Sequence, residues 1–166
     1  MRYRYRVMRD ASSGVDLSQV HIGRTPEGTA YEAVCAVLVL VSWVAVVVLS
    51  LRGESVDAGV MVLNAVGGMV VTVLCLAAAY HPLSMINLPF KPRTVGQVVL
   101  MSRMARVIAV GVAVLSLVQT CMVGGLCGET VLWICLACLI VATLVCTLSV
   151  YRAGRVLIQN HENKHI

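Results

Sequence analysis

Two of the seven cysteines form a C-x-x-C, Cys135-Leu136-Ala137-Cys138. Two thiols at that spacing are within reach of one disulfide, the arrangement used for thiol–disulfide exchange. Cys127 sits in the connection before the fourth apolar run, with Cys121 just inside the third. The same residues also read as packing. Cys135, Cys138, Ala142, Cys146, Ser149 and Ala153 recur at intervals of three or four and lie on one helical stripe. Small residues on such a stripe let membrane helices approach closely, and cysteine then acts as a small apolar packer. Asn64, Gly68, Thr72, Cys75 and Ala79 form a second stripe. Ala105, Ala109, Ala113, Ser116, Thr120 and Gly124 form a third.

Asn64 and Gln119 are the strongly polar side chains inside the apolar runs. At 1.5 Å per residue both fall roughly 8–9 Å from the same membrane face. A hydrogen bond between them would join two spans as glue, and a substrate site is the other reading. No Asp, Glu, Lys or Arg falls deep within a run, so the embedded relay of an ion-coupled transporter is missing. The chain has no Gly-rich phosphate loop, no catalytic-triad spacing and no H-E-x-x-H. His161 and His165 stand four apart in a polar tail without further ligands, so no metal site is expected.

These residues are positioned by four apolar runs, at about 33–51, 58–80, 104–124 and 130–151. Each has the length that crosses a hydrocarbon core of about 30 Å. The chain is 59% hydrophobic and 13% charged, with mean hydropathy +0.88, where a soluble domain carries about 25% charged residues. The expected fold is an all-α membrane protein, a four-transmembrane-helix bundle with both termini cytoplasmic. Twelve of the thirteen Lys and Arg residues lie in the stretch 1–32, in the loop with its helical extension, or in the tail; only Arg52 lies in a short connection. By the positive-inside rule those three regions face the cytoplasm, which accounts for the net charge of +5 without nucleic acid.

In chain order, residues 1–32 form a cytoplasmic basic arm, with Gly23, Pro26 and Gly28 read as loop. The first apolar run starts too late for a cleaved signal peptide, so the first span is expected to direct its own insertion. Residues 33–151 are the membrane domain, 81–103 its cytoplasmic loop, and 152–166 a cytoplasmic tail. The loop and the entry to the third span, His81 to Arg106, are the one long polar interruption, holding three of the four prolines. Thr94-Val95-Gly96-Gln97 has the form of a capping box, with Gln97 reaching back to Thr94. The helix it starts is expected to run on through Arg103 and Arg106 into the third span. Val95 to Arg103 should then lie at the membrane surface or project from it.

The C-x-x-C near an outer membrane face resembles, loosely, the vitamin K epoxide reductase and disulfide-bond-formation families, which pass electrons from dithiols to quinone. That resemblance implies a thiol–disulfide oxidoreductase using Cys135 and Cys138, with Cys121 and Cys127 as the second pair and quinone as its acceptor. The central stretch is similar to the cytoplasmic junction of small bacterial membrane proteins of the Sdp-immunity-like group, many of which carry a domain of unknown function. The matching features are His81-Pro82, Asn87-Leu88-Pro89, the helix start at Thr94 to Gln97, and Arg103 with Arg106. They cover about 30 residues. This resemblance implies a bacterial inner-membrane protein. The leading expectation is a non-enzymatic protein that acts by interaction, immunity-like or sensing-like, with His81, Pro82, Asn87, Pro89, Arg103 and Arg106 as contact residues. It needs no cofactor. Its partners are the lipid bilayer and a membrane or cytoplasmic protein, with a homo-oligomer also open.

Overall fold

The computed structural model describes residues 25–52, 57–87 and 95–162, with side chains for all of these except Val95 and 153–162. Among the described residues there are five α-helices and no strand. They are α1 (Pro26–Leu51), α2 (Ala58–Tyr80), the single turn α3 (Pro82–Met85), α4 (Val95–Val123) and α5 (Glu129–Glu162). α1, α2, α4 and α5 are each long and apolar enough to cross a membrane. The protein is an all-α, multi-pass membrane protein built on a four-helix bundle.

Local chemistry sets the helix ends. Thr25 caps α1 by accepting from Gly28 N at 3.0 Å, and Pro26 takes the first helical position, where no N–H is needed. Asp57 caps α2 by accepting from Val60 N at 3.2 Å. Pro82 cannot continue α2, so the chain restarts as α3, and Ile86 N closes that turn on Pro82 O at 3.1 Å. At the end of α4, Leu126 N reaches back to Cys121 O at 2.9 Å and Gly125 N to Met122 O at 3.0 Å. This reverse turn needs a left-handed residue, and Gly125 supplies it at φ 72°.

α4 is the centre of the bundle. It packs against α1, α2, α3 and α5. In the most apolar stretch of each span, 44% of α4 is buried, against 22% of α1, 17% of α2 and none of α5. α5 therefore lies outside, docked along one side of α4. Ala105, Ala109, Ala113, Ser116 and Thr120 are all buried, so the small-residue stripe of the third span is the face that lets neighbours close in. Gly68 of α2 meets Ser116, Gly111 meets Leu139 of α5, and Gly124 meets Leu49 of α1. Val46, Leu49, Met61 and Ala65 form an apolar cluster between α1 and α2, with Trp43 and Val123 packed against it. Trp43, mid-span and out of place in an aromatic belt, is thus a packing residue.

The outer faces are apolar. Leu40, Val44, Leu63, Val73, Ile134 and Leu144 are exposed at 58–74%. A contiguous apolar surface of this extent on three long helices is what a bilayer solvates.

Three boundaries differ from the sequence reading. α1 begins at Pro26, so residues 26–32 belong to the first helix and not to the arm. The reason is the Thr25-Pro26 start, a cap and not a loop. Val95 to Arg103 do not project from the membrane domain: Gln97, Val98, Met101 and Ser102 are buried by neighbouring helices, and the span candidate starts at Gly96. α5 continues to Glu162, so most of the tail is helical. The arm up to residue 24, Pro89 with the rest of 88–94, and His165 lie outside the described residues.

Candidate functional site

Two polar clusters join the helices. One lies at the end of the bundle where the 81–94 connection leaves α2 for α4, called here the loop end. The other lies toward the opposite, hairpin end, where short connections join α1 to α2 and α4 to α5.

The loop-end cluster is built by the first turns of α1, the last turn of α2 and the first three turns of α4. Ser102, 1% exposed, donates to Ala79 O at 2.7 Å and so satisfies a carbonyl at the open end of α2. Gln97 Nε2 donates to Val150 O of α5 at 3.3 Å. The expected reach of Gln97 back to Thr94 falls on a residue outside the described ones. Arg103 Nη2 donates to Glu27 Oε2 at 3.0 Å, both side chains about 40% exposed. Such an exposed pair is worth only about 0–1 kcal/mol, so it orients α1 on α4 more than it stabilises them. Tyr80 donates its hydroxyl proton to Glu32 Oε1. Arg106 lies over the Tyr80 ring at 5.7 Å from its centroid and is 3% exposed.

The residues expected to make contacts therefore separate. His81 and Asn87 are exposed, Arg103 is half-exposed, and Pro82 is buried at the start of α3. Arg106 is not at the surface at all. Its guanidinium lies against the first turn of α1, and Gly28 leaves the room for it. A Cβ at Gly28 would stand 2.7 Å from Arg106 Cζ.

The hairpin-side cluster centres on Asn64. Its Nδ2 donates to Ser116 O at 2.9 Å and to Thr120 Oγ1 at 3.0 Å. Thr120 Oγ1 passes its own proton to Ser116 O at 2.9 Å, and Ser116 Oγ donates to Asn64 O at 3.4 Å. Asn64 thus bonds the third span, as its depth suggested, but to Ser116 and Thr120. Gln119 is exposed, one residue round the helix from Thr120, and does not meet Asn64. Replacing Asn64 with valine should destabilise the protein by about 1–2 kcal/mol, near the upper end for an interhelical bond in a membrane. Gln119→Ala should leave it unchanged. Thermal unfolding in detergent compares the two; a larger effect at Gln119 would reverse the assignment.

All seven cysteine thiols are free. Cys138 is exposed and Cys135 half-buried, one turn apart on α5. Cys127 donates to Val118 O at 3.5 Å. The packing face of α5 runs through Leu139, Thr143, Thr147 and Val150. Thr147 Oγ1 bonds Met104 Sδ at 3.7 Å, and Val150 is 1% exposed. The stripe from Cys135 to Ser149 is offset from that face, leaving Cys138 and Ser149 on the outside. Among the described residues, no three His, Cys, Asp or Glu side chains converge as metal ligands.

No protein-family model, curated protein or solved structure matches this chain.

Proposed function

We propose that this is a non-enzymatic inner-membrane protein, with both termini cytoplasmic, that acts by binding a partner at its loop end. The observation that carries this reading is the placement of polar groups. At the loop end, charged and hydrogen-bonding side chains from α1, α2 and α4 meet an exposed edge formed by His81, Ser84, Met85 and Asn87. Within the spans, by contrast, Asn64 is engaged by α4, and Ser42, Thr72, Thr143 and Ser149 bond the carbonyls of their own helices. The likeness of His81–Arg106 to the Sdp-immunity-like junction supports the same surface, as does the concentration of Lys and Arg on that side. Arg103 presents its half-exposed guanidinium there, while Arg106 is buried between Tyr80 and Gly28.

A photo-cross-linking residue placed at Met85 or Asn87 in intact cells tests this. Both positions should give a discrete adduct, and Leu63, exposed at 74% on the lipid side of α2, should not. Arg103→Ala should reduce the adduct roughly tenfold or more, the loss expected of an arginine anchor worth about 1.4 kcal/mol or more, with membrane insertion intact. The same adduct pattern at Leu63 as at Met85 would end the proposal.

A further inference from the structure

The guanidinium of Arg106 is 97% buried by its 3% exposure, and its Nε and Nη2 have no hydrogen-bond partner. No carboxylate among the described residues pairs with it. Glu27 is engaged by Arg103, and Glu32 accepts from Tyr80. What Arg106 does face is the first turn of α1, at Gly28. That turn is the positive end of the helix dipole, with Gly28 N held by the Thr25 cap and the Glu27 carboxylate of the same turn drawn to Arg103. A buried cation with open donors, set against a second positive centre, is unfavourable as it stands. The same two features together favour an anion shared between them.

We propose that the contact between Arg106 and the first turn of α1 is a binding site for a phosphate-type oxyanion. Nε and Nη2 of one guanidinium face present two parallel N–H donors, which suits two oxygens of a phosphate. Gly28 matters because any side chain there would occupy the guanidinium's place. Tyr80 holds the guanidinium by its ring face, a contact that uses none of the N–H donors. The chain enters the membrane domain at this point, so the anion is available either from a lipid headgroup or from solution. The inference rests on the loop end facing the headgroup region, as the proposed function has it.

The test uses the full chain, purified in neutral detergent or in phosphatidylcholine nanodiscs. Thermal midpoints are followed on titration with phosphatidylglycerol, and separately with inorganic phosphate against chloride at equal ionic strength. The wild type should be stabilised by one of these probes. Gly28→Ala and Arg106→Gln should each require at least roughly tenfold more of it, a change of about 1.4 kcal/mol in affinity. A response to inorganic phosphate assigns the site to free anion; a response to phosphatidylglycerol alone assigns it to a headgroup. No stabilisation of the wild type by either probe overturns the site. So does an equal response in the variants, which would place the effect on other basic residues. If Arg106→Gln does not fold, Gly28→Ala decides, because it keeps the charge. The cross-linking result above does not depend on this outcome, so either proposal can fail without the other.

Discussion

Gly68→Ala is expected to destabilise the bundle by about 2–3 kcal/mol, despite replacing a poor helix former with the best one. The added methyl would overlap both Oγ and Cβ of Ser116 on α4. Neither atom can swing away. Ser116 is buried, its Oγ is bonded to Asn64 O, and its backbone carbonyl is held by Asn64 and Thr120. α2 and α4 would have to separate along their closest contact, loosening the Asn64 cluster as well. Gly67 is the control, since a methyl there meets nothing within 4 Å. Gly67→Ala should be neutral or should stabilise by up to about 1 kcal/mol. Circular dichroism melts in detergent distinguish the two. Ser116→Gly combined with Gly68→Ala should recover part of the loss, an interaction that a double-mutant cycle reads directly. Equal effects at Gly67 and Gly68 would mean that this is not the tight helix contact.

Arg106→Met is expected to raise stability, by about 1–2 kcal/mol, in detergent free of phosphate and anionic lipid. Replacing a buried, incompletely satisfied charge with an apolar side chain of similar length commonly gains about 1–4 kcal/mol. The loss of the stacking contact with Tyr80 offsets part of that, by about 0.5–2 kcal/mol. Arg103→Met should change stability by no more than about 1 kcal/mol, since its partner Glu27 and its own side chain are both partly exposed. Thermal midpoints under identical detergent conditions give the comparison. A variant markedly less stable than wild type would show that the Arg106 guanidinium is fully compensated by the protein. A stabilised variant would mean that the arginine is retained for something other than folding.

The packing of α5 shows how far spacing alone carries. Cys135, Cys138, Cys146 and Ser149 share a stripe, but a helix that docks on α4 alone buries only a narrow arc. That arc is set by Leu139 against Gly111 and by Thr147 against Met104, one position away from the cysteines. A rotation of about 100° per residue puts Cys138 outside. The same rotation separates Gln119 from Thr120, so the depth of Asn64 was legible while the identity of its partner was not. The start of α1 was legible and missed. Thr25-Pro26 is a capped entry, and reading Pro26 and Gly28 as loop ignored that proline suits the first helical position.

By itself, the sequence determines that this is a four-span membrane protein. Runs of about twenty apolar residues must satisfy their own backbone within lipid, and helices are the available solution. It also determines the breaks: Pro82 ends α2, Asp57 caps its start, and Gly125 turns the chain out of α4. Only the tertiary structure decided that α4 is central, that Asn64 is held by Ser116 and Thr120, and that Arg106 is enclosed against Gly28. Hydrophobic length and capping are local properties of consecutive residues. Which faces meet is set by contacts between residues tens of positions apart, through small differences in side-chain size that periodicity does not encode.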